Sequence, residues 1–180
     1  MRARNSSILI AAVAVCLSAA IAASQSSPPP KPKTEPLSAQ PAAASLGKKE
    51  TAKWTATTWE AAAAEANKKV LATGKPATVT GEVVDVSCYL QLGKRGDAHV
   101  ACGSKCITNG QPIGLLDAKD KLYLLFAEEH HPRRDGQVDL KTVFLPLLAK
   151  NVTVTGMEVE MRGYRGLFVQ AAELLETGSK

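Results

Sequence analysis

The sequence has few aromatic residues, which make up only 4% of its 180 positions. No group of lysines or arginines alternates with them, and the formal net charge is only +5. Proteins that bind single-stranded nucleic acid combine stacking aromatics with a basic groove, so we expect no nucleic-acid partner. Also missing are a phosphate-binding loop, an H-E-x-x-H motif, a haem-attaching C-x-x-C-H and an evident Ser-His-Asp set. These absences favour a non-catalytic protein, although groups far apart in sequence can still converge.

The N-terminus predicts a secretory signal peptide over residues 1–22. Arg2 and Arg4 precede an uncharged run over residues 8–23, and Ala20-Ile21-Ala22 fits the small-x-small pattern of a cleavage site. The run is shorter than the about 20 residues that a membrane-spanning helix needs. We therefore expect a periplasmic or extracellular protein. An uncleaved leader is the alternative, and it would provide the only membrane contact.

Composition divides the remaining chain into three segments. Residues 23–53 are rich in Pro, Ala, Ser and Lys and lack apolar periodicity, which predicts a disordered linker. Residues 54–74 predict one amphipathic helix, because a run of alanines lies between a capping threonine and the terminating Gly74 and Pro76. Residues 75–177 predict a β-rich domain.

The pattern of that domain indicates a small five-stranded OB-like barrel. Residues 77–90 alternate as one strand does, residues 112–129 resemble two strands joined by a polar turn, and residues 151–176 resemble a hairpin. A short helix or turn interrupted by Pro146 separates the pairs. Gly81 and Gly156 each end a V-T or T-V-T run, where glycine lets a strand bend as a tight barrel requires.

The three cysteines outside the leader are concentrated in one segment together with a histidine. Cys88, His99, Cys102 and Cys106 fall within nineteen positions. Zinc accepts a tetrahedral Cys₃His set and copper(I) accepts thiolates, so these four residues are candidate ligands. Asp85 would orient His99 as a hydrogen-bond acceptor or cap the following turn.

Two other interpretations of the cysteines stay open. Any two of the three candidates Cys88, Cys102 and Cys106 would form a disulfide and leave one free thiol. A bridge that closes a loop of about 15 residues would stabilise the domain by roughly 3 kcal/mol. A redox-active thiol pair is the third interpretation, although C-x-x-x-C differs from the C-x-x-C of thioredoxin-like enzymes.

Residues 78–126 resemble a group of small exported bacterial proteins of unknown function, with looser similarity to about residue 175. Their pattern is G-x-V-x-D-x-x-C, then H-x-x-C-x-x-x-C and a G-x-P-x-G-like turn. The matching residues are Gly81, Asp85, Cys88, His99, Cys102, Cys106, Gly110, Pro112 and Gly114. The resemblance implies an exported OB-like domain with an elaborated first loop.

These observations predict an exported, non-catalytic OB-like binding module with a Cys/His loop stabilised by a disulfide or a metal ion. Its partner would be an unknown protein or small ligand. The alternatives are a periplasmic zinc- or copper-handling protein and a thiol-disulfide oxidoreductase. No cofactor is certain, and zinc and copper are the two candidates.

Overall fold

A computed structural model describes residues 41–129 and 139–170, together with Leu174. The predicted signal peptide, the linker up to residue 40 and most of the C-terminal end of the predicted barrel segment lie outside the described residues. The described strands are β1 (Ala44–Leu46), β2 (Lys75–Asp85), β3 (Ile113–Asp117), β4 (Leu122–Ala127), β5 (Asn151–Met161) and β6 (Tyr164–Val169). The described α-helices are α1 (Ala56–Ala61), α2 (Glu65–Leu71), α3 (Val86–Leu92), α4 (Val100–Thr108) and α5 (Leu140–Phe144). Short 3-10 helices occupy Lys49–Thr51, Asp97–His99 and Leu145–Leu147.

Five of the strands close into a barrel. The hydrogen-bonded order is β5-β2-β3-β4-β6, and a second pairing between β5 and β6 completes the circle. All of these pairs are antiparallel except β4 with β6, which run parallel. This arrangement is consistent with the predicted small OB-like barrel, and full closure leaves these five strands without a free edge. The interior is apolar and contains fully buried residues such as Val83, Leu115, Phe144 and Leu167.

The two glycines at which the sequence predicted strand bends, Gly81 and Gly156, lie where neighbouring backbones approach closely. A Cβ atom on Gly81 would clash with the carbonyl oxygen of Leu116 on β3. A Cβ atom on Gly156 would clash in the same way with the carbonyl oxygen of Phe168 on β6. Both positions therefore require glycine because the neighbouring backbone leaves no room for a side chain.

The segment before the barrel differs from the sequence prediction in two respects. The single helix predicted over residues 54–74 is two short helices, α1 and α2, because tertiary contacts hold their ends separately. The Trp54 indole nitrogen donates to the Leu71 carbonyl at 2.8 Å, and the Thr58 hydroxyl donates to the Glu128 carbonyl at 3.1 Å. In addition, β1 pairs in parallel with β5 and buries Leu46, so the fold extends into the range predicted to be a disordered linker.

The long connection between β2 and β3 is mostly helical rather than an open loop. It consists of α3, the 3-10 turn Asp97–His99 and α4. Ile107 of α4 is fully buried in the barrel core, which fastens the insertion to the barrel. All four candidate ligands lie in this helical insertion, residues 86–108.

Candidate metal centre

Asp85 positions the first candidate ligand by capping helix α3. The residue ends β2 and is completely buried. Its Oδ1 accepts from the backbone nitrogens of Ser87 at 3.0 Å and Cys88 at 3.4 Å, and from the Ser87 hydroxyl at 2.8 Å. An aspartate at this position satisfies amides that have no partner within the helix. Cys88 is thereby held in the first turn of α3, directly beside the buried carboxylate.

Helix α4 supplies the other two thiols on one face. Cys102 and Cys106 are four residues apart, so their side chains project to the same side of the helix. Gly103 lies between them and leaves room for the imidazole of His99. A Cβ atom at this glycine would be only 3.2 Å from His99 Cδ2 and 3.0 Å from Leu148 Cδ2.

The four candidate ligands and Asp85 form two overlapping groups that share Cys88. The ligand atoms of Cys88, His99 and Cys102 all lie within 4.8 Å of one another. The ligand atoms of Asp85, Cys88 and Cys106 meet the same limit. A Cys/His cluster that could bind a metal ion is therefore present. Asp85, Cys88 and His99 are buried and Cys102 is exposed, so the cluster opens to solvent on one side.

Two buried polar atoms of the cluster have no hydrogen-bond partner. His99 Nε2 and Asp85 Oδ2 face each other at 3.8 Å, which is too long for a hydrogen bond, and neither atom has a hydrogen-bond partner among the described residues. Buried polar side-chain atoms are rarely left unsatisfied. The unfilled bonding capacity of these two atoms is what a bound cation would satisfy. Asp85 therefore both caps α3 through Oδ1 and faces His99 through Oδ2.

The environment of the buried Cys88 and the half-buried Cys106 favours the protonated thiols in the absence of metal. A hydrogen bond with Asp85, burial and the charge of that carboxylate raise the pKa of Cys88 to about 12. Burial is also the main cause of the raised pKa of Cys106. Burial acts to raise the pKa of Asp85, but hydrogen bonds from Ser87 and Cys88 outweigh it and lower that pKa. Asp85 thus carries the negative charge at neutral pH.

All three disulfide candidates are free thiols in this structure. Cys88 is nevertheless close enough to each of the other two for its sulfur to belong to a shared group. A bridge from Cys88 to either of the other two cysteines is therefore compatible with this arrangement.

Sequence reasoning missed the residues that position the His99 turn. Glu82 is buried, accepts a hydrogen bond from the Gly96 nitrogen at 2.6 Å and lies 3.2 Å from Arg95 Nε. Gly96 has a φ of +74°, and its carbonyl accepts from the His99 nitrogen at 2.9 Å. In the alternation of residues 77–90, Glu82 falls on the same strand face as Thr78 and Thr80. An Arg-Gly pair shortly before a candidate ligand was the only signal that this glutamate had a partner.

Comparison with known proteins gives no relative for this chain. No family model matches it, and neither a curated protein nor a solved structure gives a significant match. Within the described residues, no helix combines the length and apolarity needed to cross a bilayer.

Proposed function

We propose that the protein is an exported OB-like binding module whose helical insertion holds a zinc or copper(I) ion. The ligands are Cys88, His99 and Cys102, with Cys106 or Asp85 completing the coordination. The observation that supports this most strongly is the convergence of these side chains around Cys88, beside two buried polar atoms without partners.

The donor set favours zinc over copper(I). Zinc binds thiolate, imidazole and carboxylate ligands in a tetrahedral arrangement, and this cluster offers all three. Copper(I) favours the thiolates alone and would make less use of Asp85. A bound cation would also displace the thiol protons, because a coordinating thiol is deprotonated outright. The raised thiol pKa values are therefore a property of the metal-free protein.

The exposed position of Cys102 suggests how the site serves a binding module. A ligand at the surface can meet a partner protein or a small molecule while the buried Cys88 and His99 hold the ion. In OB-type barrels the connection between the first two barrel strands commonly contributes to the binding surface. Here those strands are β2 and β3, and the helical insertion connects them. The resemblance of residues 78–126 to small exported bacterial proteins supports the proposal of export.

A disulfide staple is the second candidate, favoured by the proximity of Cys88 to Cys102 and Cys106. Such a bridge would join α3 to α4 and stabilise the insertion without an ion. A thiol oxidoreductase has less support. Catalytic thiols act as thiolates at lowered pKa, whereas the pKa values of Cys88 and Cys106 are raised.

One sample of protein purified from the exported fraction distinguishes these functions. We expect about one equivalent of zinc by elemental analysis, three titratable thiols after chelation, and loss of the metal in Cys88→Ser. The control is Ser104→Ala, a single-atom change on α4 that leaves every candidate ligand in place. A metal-free protein with one free thiol would instead establish the staple. N-terminal sequencing tests export separately, and we expect the mature chain to begin at residue 23.

A further inference from the structure

A second potential site lies on the outer face of the barrel, away from the cysteines. Strands β4, β5 and β6 form its floor, and α1 and α2 form one wall. The cavity measures about 570 Å³, which falls within the usual range for small-molecule sites. Its lining is almost wholly apolar and includes Leu124, Val159 and Met161.

Aromatic side chains dominate the floor of this cavity. Phe126 and Phe168 stack with their ring centroids 5.1 Å apart, and Trp54 meets Phe168 edge-on at 5.4 Å. Tyr164 stands at the rim and is 75% exposed. In a chain with only 4% aromatic residues, four of them line one cavity. Aromatic faces attract both apolar groups and cations.

Glu128 is one of the lining residues, and one of its carboxylate oxygens is unsatisfied. The residue is only 2% exposed, and its Oε1 accepts from the Thr55 nitrogen at 2.8 Å and the Thr55 hydroxyl at 3.2 Å. Its Oε2 is buried without a hydrogen-bond partner. The other charged side chain in the lining, Arg165, is paired with Glu160 at 3.0 Å. Among the described residues, Glu128 thus carries an acceptor that lacks a donor, and a rotation of its carboxylate would turn that oxygen toward the cavity.

We propose that this cavity binds an apolar amine, with its hydrocarbon part against Phe126 and Phe168 and its protonated nitrogen donating to Glu128 Oε2. A charged donor would satisfy the buried carboxylate oxygen, and the neighbouring rings would further stabilise the cation. The proposal is independent of the metal centre, because it depends on different residues.

Calorimetric titration of the purified protein with three matched probes tests the proposal. The probes are octylammonium, 1-octanol and octanoate, which share one chain and differ in head-group charge. We expect octylammonium to bind about tenfold more tightly than octanol, as a charged hydrogen bond of this kind would give. Octanoate should bind most weakly, because its carboxylate would approach that of Glu128.

Three variants assign the effect to residues. Glu128→Gln keeps an acceptor for Thr55 and should remove the preference for octylammonium over octanol. Phe126→Ala should weaken both probes alike, and Glu50→Gln, an exposed glutamate on a different element, should change neither. Equal affinity for octylammonium and octanol, or an unchanged preference in Glu128→Gln, would overturn the proposal. A failure of all three probes to bind would also overturn the proposal. This holds even if the cause were a second copy of the chain, or another of its segments, covering the cavity.

Discussion

Replacing Cys88 with serine should remove most of the stabilisation that zinc gives the folded protein. Cys88 belongs to both ligand groups, so its loss breaks both the set with His99 and Cys102 and the set with Asp85 and Cys106. Loss of Cys106 leaves the first set complete. We therefore expect the metal-dependent stabilisation to rank wild type first, Cys106→Ser second and Cys88→Ser last.

The size of the effect follows from binding linkage. Zinc present at 100 times its dissociation constant adds about 2.7 kcal/mol to the free energy of unfolding. For a folded domain of this size, that corresponds to a rise in Tm of roughly 10 °C. The rise should fall to roughly 2 °C or less in Cys88→Ser, for which the same zinc concentration no longer exceeds the dissociation constant.

The stability of the metal-free protein should fall as the pH rises, whereas the affinity for zinc should increase. Without metal, a thiol whose pKa rises from 9.0 to about 12 on folding stabilises the protein below pH 9, and this contribution is lost as the pH rises toward 12. With metal, zinc must displace the thiol proton, so affinity increases with pH. Each thiol that both coordinates zinc and is protonated beforehand adds about one unit to the slope of log affinity against pH. A slope lowered by one in Cys106→Ser would identify Cys106 as a ligand.

Thermal melts followed by circular dichroism measure these quantities, without zinc between about pH 8 and 12 and with zinc between about pH 6 and 8. Ser104→Ala is the matched control and should retain the full rise in Tm. If Cys88→Ser shows the same zinc-dependent rise as wild type, the ion binds elsewhere and the assignment of the site is refuted.

Three further predictions concern the fold that supports the site, all measured by urea unfolding. Burial raises the pKa of Glu82. The contribution of this residue to stability is therefore present below its unfolded pKa and is lost as the pH rises through its folded pKa. Glu82→Gln should abolish this pH dependence, and an unchanged pH profile would contradict the prediction. Gly81→Ala should destabilise the barrel by about 1–3 kcal/mol through its clash with β3, whereas the exposed Thr80→Ala should cost less. Phe144→Ala should cost about 3–5 kcal/mol, because the ring is completely buried, and a loss below 1 kcal/mol would show that the core differs.

Local patterns in the chain were enough to predict the barrel. Alternating apolar residues and turn signals give strand positions, and β3 and β4 flank the polar turn at residues 117–121 as expected. Residue spacing also identified the segment that contains Cys88, His99, Cys102 and Cys106 as the candidate site. Each of these features depends on residues close together in sequence.

Other features depend on contacts between distant segments, which no local pattern records. Glu82 has an ordinary strand position in sequence, and only the fold of the insertion brings it to Gly96 and Arg95. The alanine-rich segment favours one helix, but contacts of Trp54 and Thr58 with distant backbone carbonyls accompany its division into two. The apolar cavity likewise joins residues from both sides of the barrel closure.

The sequence alone determined that this protein contains a β-barrel and that the three cysteines after residue 22 belong to one segment, because both properties follow from residue order and spacing. Only the tertiary structure decided that Cys88 is the shared member of two ligand groups and that Asp85 and His99 retain unsatisfied atoms. Those facts depend on how β2, α3 and α4 pack, and packing is set by the shape of the whole core rather than by any one segment.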